Sequence, residues 1–274
     1  MVCAVMCVGC SFNSAEEDEK PIQFTISLTE AESAIFNALQ INAGQINRDP
    51  FQKWGAFEFS YGVRVINPDS NELLGSQRES AFATCENGVY ENEYLTYEYN
   101  DFRYDEHSIR EYYTVGNIQY TYENSSVHAD NVDKEELLPE TDIIKNLFAD
   151  DSLYLVYGNK VTKEVTTGGY TLVFRSGLQG VVNYLCIMRN EDIKEHAESY
   201  LAQLEAMYSN ADLSEASVQL LIKFDKQNNI TEIKFNYVSF DPSQYMKSES
   251  EFVAKKSTSN IPVPEWYLDY LGEK

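Results

Sequence analysis

The side chains here that could do acid–base or covalent chemistry are three histidines, His107, His128 and His196, five cysteines, and 44 acidic residues set against 21 basic ones. The histidines stand in polar or helical settings, with no nucleophile-elbow motif and no metal-ligand spacing around them. Carboxylate pairs of the kind that hydrolyse glycosides carry no signal, because 44 acids supply any spacing by chance. Asp130, Asp133, Glu135 and Glu136 crowd together, but they lack the Asp-x-Asp-x-Asp-Gly order of a calcium loop. They fit the first turn of a helix, where the dipole favours negative charge. No glycine-rich phosphate cradle occurs, since Gly168-Gly169 reads as a turn. The expectation is no catalytic residue, no metal, no cofactor and no enzymatic activity.

The cysteines point to an address. Met1-Val2-Cys3-Ala4-Val5-Met6-Cys7-Val8-Gly9-Cys10 is uncharged and mostly apolar, and the composition flips at once to the polar, acidic run from Ser11 to Lys20. The stretch resembles the end of a bacterial lipoprotein signal peptide, with Val8 and Gly9 as the small residues before the cut. Cys7 stands where a leucine-like residue is usual, and no Lys/Arg region precedes the apolar run. The resemblance implies a lipid on Cys10, a residual signal peptide at 1–9, an acidic tether at 10–20 and a single folded domain at 21–274. The alternative is an N-terminal strand or a frayed tail that merely contains cysteines. The run is too short to span a bilayer, which takes about 20 residues. Cys85 and Cys186 remain, and two cysteines make no disulfide framework; they are expected as separate buried thiols.

The elements follow from periodicity. Thr29 and Glu32 have capping-box spacing, and Ala31, Ala34, Ile35, Ala38 and Leu39 share one face of a helix of about four turns starting at Glu30. Gly44 should lie near its end. From Phe57 to Val65 apolar and polar residues alternate, predicting a half-buried strand, and Asn67 to Asn71 makes a turn. Strands follow at Gln77–Thr84, Val89–Tyr99, Ser108–Val115 and Ile118–Glu123, with turns at Glu86-Asn87-Gly88 and Gly116-Asn117. Asn124 to Asn131 reads as a polar loop. A second helix is expected from Asp133, interrupted at Pro139 and carrying Ile143, Ile144, Leu147 and Phe148 on its apolar face. Further strands are expected at Ser152–Tyr157, Lys160–Thr166 and Tyr170–Arg175, while Gly177–Arg189 is ambiguous. A helix carries Ile193, Ala197, Tyr200, Leu201, Leu204 and Met207 on one stripe. The hairpin Val218–Phe224 with Ile233–Tyr237 is the clearest in the chain, and Ser248–Lys256 reads as an added edge strand. Tyr90, Tyr94, Tyr97, Tyr99, Tyr104, Tyr112, Tyr113, Tyr120 and Tyr122 crowd the first meander; such rings serve either as a platform for sugars or amphiphiles or as ordinary cross-strand pairs.

Both halves read as helix followed by antiparallel strands, the pattern of an α+β chain with one large sheet and helices on one face. Together with Cys10, the run from Tyr113 to Tyr120 and the hairpin Leu221–Phe235, this order resembles the LolA-like superfamily, including the LppX and LprG type lipoproteins. That resemblance implies a curved half-barrel sheet with helices on its concave face. It also implies an apolar cavity holding a lipid or other amphiphile, outside the cytoplasmic membrane to which Cys10 would anchor the chain. Ile35, Leu39, Phe59 and Tyr61 are the candidate lining residues. The formal charge of −23 opposes binding to nucleic acid. The partners expected are an amphiphile and the membrane, with the protein a monomer. The alternative is a non-enzymatic surface module that binds protein or glycan through an aromatic sheet face.

Overall fold

The computed structural model describes residues 21–42, 45–46, 49–86, 89–131, 144, 146–148, 151–241, 243–258 and 261–272. Cys10, Gly44, the Asn87-Gly88 turn and the expected helix start from Asp133 to Pro139 lie outside them. In chain order the elements are β1 Ile22–Ser27, α1 Leu28–Ala38, β2 Gln40–Asn42, β3 Gln45–Ile46, α2 Pro50–Trp54, β4 Ala56–Ile66, β5 Leu73–Glu86, β6 Val89–Asp101, β7 Glu106–Val115, β8 Ile118–Glu123 and β9 Ser126–Asn131. They continue with α3 Ser152–Tyr157, β10 Lys160–Thr166, β11 Gly169–Ser176, α4 Leu178–Met188, α5 Ile193–Met207, β12 Ser217–Asp225, β13 Ile230–Phe240, β14 Lys247–Lys256 and α6 Glu265–Leu271. Twelve strands form one open antiparallel sheet in the order β1-β10-β11-β12-β13-β14-β4-β5-β6-β7-β8-β9. The architecture is the α+β curved sheet expected from the sequence.

The strand read as an edge is central. β14 pairs with β13 on one side and β4 on the other, and so joins the two halves of the chain. Its charges suggest an exposed edge, but Glu249, Glu251 and Lys255 each have a cross-strand partner. Glu249 pairs with Arg64 of β4, and Glu251 and Lys255 pair with Lys234 and Glu232 of β13. On the opposite face Phe252 and Ala254 are wholly buried. Charged cross-strand pairs support a ladder from its solvent face while apolar residues hold the other.

Three local expectations are corrected. Ser152–Tyr157 is the helix α3, because Leu153, Val156 and Tyr157 pack inward while Tyr154 and Leu155 face solvent, a helical spacing too short to distinguish from a strand by sequence. Part of the polar loop is the edge strand β9, held by backbone pairing to β8; with mostly exposed side chains it has no apolar pattern to read. Helix α1 begins earlier than expected: Ser27, not Thr29, is its cap, accepting from the Glu30 amide at 3.2 Å, and the helix runs for 11 residues.

The core lies between the sheet and α1 to α5. Ile35 and Leu39 belong to the same buried cluster as Phe51, Trp54 and Phe57, and the Trp54 indole donates to the Ile230 carbonyl at 2.8 Å. Gly180 lets α4 approach α3, since a Cβ there would fall 2.6 Å from the Val156 carbonyl oxygen. Cys85 and Cys186 are buried and are not joined to each other, as expected. The last helix departs from the one-face arrangement. Tyr113 and Tyr120 meet Tyr267 of α6 with ring centroids 4.8 Å apart, on the face turned away from the core.

Candidate functional site

Register makes the inner face of the sheet, the side that carries the core helices, a set of rows crossing the strands. One row runs Phe174, Leu220, Phe235, Phe252, Tyr61, Glu79, Tyr97, Arg110 from β11 to β7. The next runs Leu172, Ile222, Ile233, Ala254, Phe59, Ala81, Leu95, Tyr112. Both are apolar where α1 to α4 cover them. Past β4 the first row turns to tyrosine and charge while the second keeps Ala81 and Leu95. The result is a surface that grades from wholly buried aliphatic and phenyl groups to half-buried tyrosines bordered by ions.

The ions are held in place. Glu79, only 8% exposed, accepts from the Gln77 amide at 2.6 Å. Burial, reinforced by the nearby Glu79 charge, raises the Tyr97 hydroxyl above the ordinary phenol value. Arg110 Nε donates to Glu123 at 2.8 Å. At the end of β6 Arg103 grips Asp101 through two nitrogens, at 3.0 and 2.7 Å, which holds that carboxyl below its usual range. Under the helices the hydroxyls of Tyr157 and Tyr184 are pushed well up by burial, and that of Tyr237 to about 12. The buried Tyr157 hydroxyl has no hydrogen-bond partner among the described residues.

Of the four residues expected to line a cavity, Ile35, Leu39 and Phe59 are packed in the core, with the Phe59 ring stacked on Phe252 at 6.0 Å. Leu39 borders a hollow of only about 60 Å³ with Trp54 and Ile230. Tyr61 is half-buried, where the covered core passes into the tyrosine surface. Sequence reasoning treated the meander tyrosines as one group. Pairing divides them: Tyr97, Tyr99 and Tyr112 face inward, while Tyr94, Tyr113, Tyr120 and Tyr122 face outward beneath α6. Tyr94 donates to Glu111 at 2.6 Å, and the Trp266 indole donates to the same oxygen at 2.8 Å. Odd and even position within each strand carried that division in the sequence. Among the described residues no group of three His, Cys, Asp or Glu converges as metal ligands. His107 reaches Glu98 at 3.7 Å, and His196 lies 3.0 Å from its own helix's Asp192 carbonyl.

No family model matches the chain, and no curated protein does. Among solved structures it is similar to LprF from Mycobacterium bovis, with 9% identity and a TM-score of 0.34 over 89% of this chain and 99% of that one. It is also similar to a LolA superfamily protein from Nitrosomonas europaea, with 8% identity and a TM-score of 0.24 over 87% of this chain and 98% of that one.

Proposed function

We propose that the chain is an extracytoplasmic lipoprotein, anchored to the outer face of a bacterial cytoplasmic membrane through lipid on Cys10, whose residues 21–274 form one domain that binds a lipid or other amphiphile. The observation that carries this reading is the gradient along the inner face, from Phe235 and Phe252 through Tyr61 and Tyr97 to Arg110. An amphiphile has the same profile: its chain gains by leaving water beside Leu95 and the tyrosine rings, and its head keeps hydrogen bonds from tyrosine hydroxyls and Arg110. Tyr61 stands at the junction, and Ile35, Leu39 and Phe59 form the apolar layer behind it, which a chain reaches only if the helices above yield. Nothing in this reading calls for a reaction, and the domain acts as a monomeric binding protein.

The alternative, an aromatic sheet face that binds protein or glycan, has less support, because the outer tyrosines are already engaged by Trp266 and Tyr267. Native mass spectrometry with organic extraction, applied to the full chain purified from a bacterial host, tests the proposal. Near-stoichiometric lipid, lost in a folded Tyr97→Arg variant, is the expected result. A clean apo mass with no uptake of added lipids would sink it.

A further inference from the structure

The outer face of the sheet carries two adjoining hollows that amphiphile binding does not use. The larger, of about 840 Å³, spreads over β4, β5, β6, β13 and β14. Its floor is Ser60, Gly62, Ser76 and Ser80, side chains too short to fill the space between their longer neighbours. The second, of about 450 Å³, shares Ser60 and Ser80 and continues to Phe82, Tyr94 and Thr96. Strand alternation places these floor residues on the face opposite Phe59 and Phe252.

The rim is polar and internally balanced. Arg64 pairs with Glu249 at 3.2 Å, and Glu251 with Lys234. Asn100 Nδ2 donates to Glu98 at 3.2 Å and lies 3.4 Å from the Ser76 hydroxyl. Two groups are left over. Among the described residues exposed Arg78 makes no ion pair, and the Asn236 Oδ1 acceptor has no hydrogen-bond partner.

These features select a ligand class by elimination. A serine floor disfavours an acyl chain, which would gain nothing by covering hydroxyls that must stay hydrogen-bonded. Strand addition by a peptide needs a free edge, and β14, β4, β5 and β6 are each paired on both sides. A net charge of −23 repels nucleic acid. The formal charges of the rim, Arg64, Arg78 and Lys234 against Glu98, Glu249 and Glu251, cancel and leave no excess to hold a strongly ionic ligand. What remains is a neutral, hydroxyl-rich molecule. Planar amide, guanidinium and carboxylate groups around a hydroxyl floor offer the paired donors and acceptors that vicinal hydroxyls match, and Phe82 offers a ring for the apolar face of a pyranose. The larger hollow falls within the roughly 300–1,000 Å³ of small-ligand sites. We propose that this outer-face hollow binds a neutral oligosaccharide, independently of the inner face.

Isothermal titration calorimetry of the full chain with cellohexaose, maltohexaose and chitohexaose tests it. At least one of the three binds, and Arg78→Ala and Asn100→Ala each weaken that binding by about tenfold. Ser80→Trp, at an exposed position, fills the floor and abolishes it, whereas Tyr97→Arg on the opposite face leaves it unchanged. Circular dichroism establishes that each variant is folded; should Ser80→Trp misfold, the Arg78 and Asn100 variants decide. Binding of none of the three sugars overturns the proposal, as does binding that folded Ser80→Trp retains or that neither alanine variant weakens.

Discussion

Replacing Phe252 by alanine asks whether the two halves of the chain are one cooperative unit. The ring is wholly buried on β14, packed edge-on against Phe51 with centroids 6.4 Å apart and stacked on Phe59 at 6.0 Å, between Phe235 and Tyr61 in register. Truncating a buried phenylalanine costs about 3–5 kcal/mol in lost transfer free energy and cavity formation. That is a large part of the roughly 5–15 kcal/mol that holds a domain together. With a urea slope of about 3 kcal/mol/M, a loss of about 4 kcal/mol moves the unfolding midpoint down by about 1.3 M. The two tryptophans report from different places: Trp54 from the core under the inner face, and Trp266 from α6 on the outer face beside β7 and β8. Paired unfolding curves, one from a Trp266→Phe background and one from Trp54→Phe, should show both probes moving together. A loss below about 1 kcal/mol, or a Trp266 transition that stays in place while the Trp54 transition falls, would refute the reasoning that β14 joins 21–274 into one domain.

Gly180→Ala should lower the melting temperature by an amount equivalent to about 1–3 kcal/mol, because the added Cβ collides with the Ser176 side chain and meets the Val156 backbone carbonyl at 2.6 Å, so that Ser176 and α3 must both give way; an unchanged melting temperature would mean that these contacts are loose. The Asp225 carboxyl is held below its usual range by the backbone amide of Asn229, with help from its side chain and the Gln227 amide. A depressed carboxylate contributes stability above its unfolded value of about 3.9 that is lost as pH falls through the folded value, so the advantage of the wild type over Asp225→Asn should shrink below about pH 4 in acid unfolding curves. At the alkaline end the sign reverses. Burial raises Tyr157, Tyr184 and Tyr237, the last to about 12, so their contribution is intact below the unfolded value of about 10 and disappears as pH rises past it. Phenolate absorbance should therefore show a late class of tyrosines that ionise only as the fold is lost; a single wave near pH 10 with the fold intact would contradict that burial.

The elements with a strong local period were legible in the chain itself. Alternation in Phe57–Val65 and in the hairpin of Val218–Phe224 with Ile233–Tyr237 marks strands and names their buried faces, and the stripe of Ala197 and Leu204 marks α5, because side-chain direction repeats every two or 3.6 residues whatever surrounds the element. The α+β class and the placing of Ile35, Leu39 and Phe59 against apolar neighbours follow from the same signal. Where an element sits was not legible. Glu249, Glu251 and Lys255 look the same at an exposed edge and in a central strand whose neighbours carry the opposite charges, and only pairing with Arg64, Lys234 and Glu232 separates the two. The tyrosines likewise divide between faces once register is set, and the serine floor of the outer hollow exists only because β4, β5 and β6 lie side by side. Local periodicity determines which residues face together within one strand. Which strands meet depends on contacts between residues far apart in the chain, and that was decided by the tertiary structure alone.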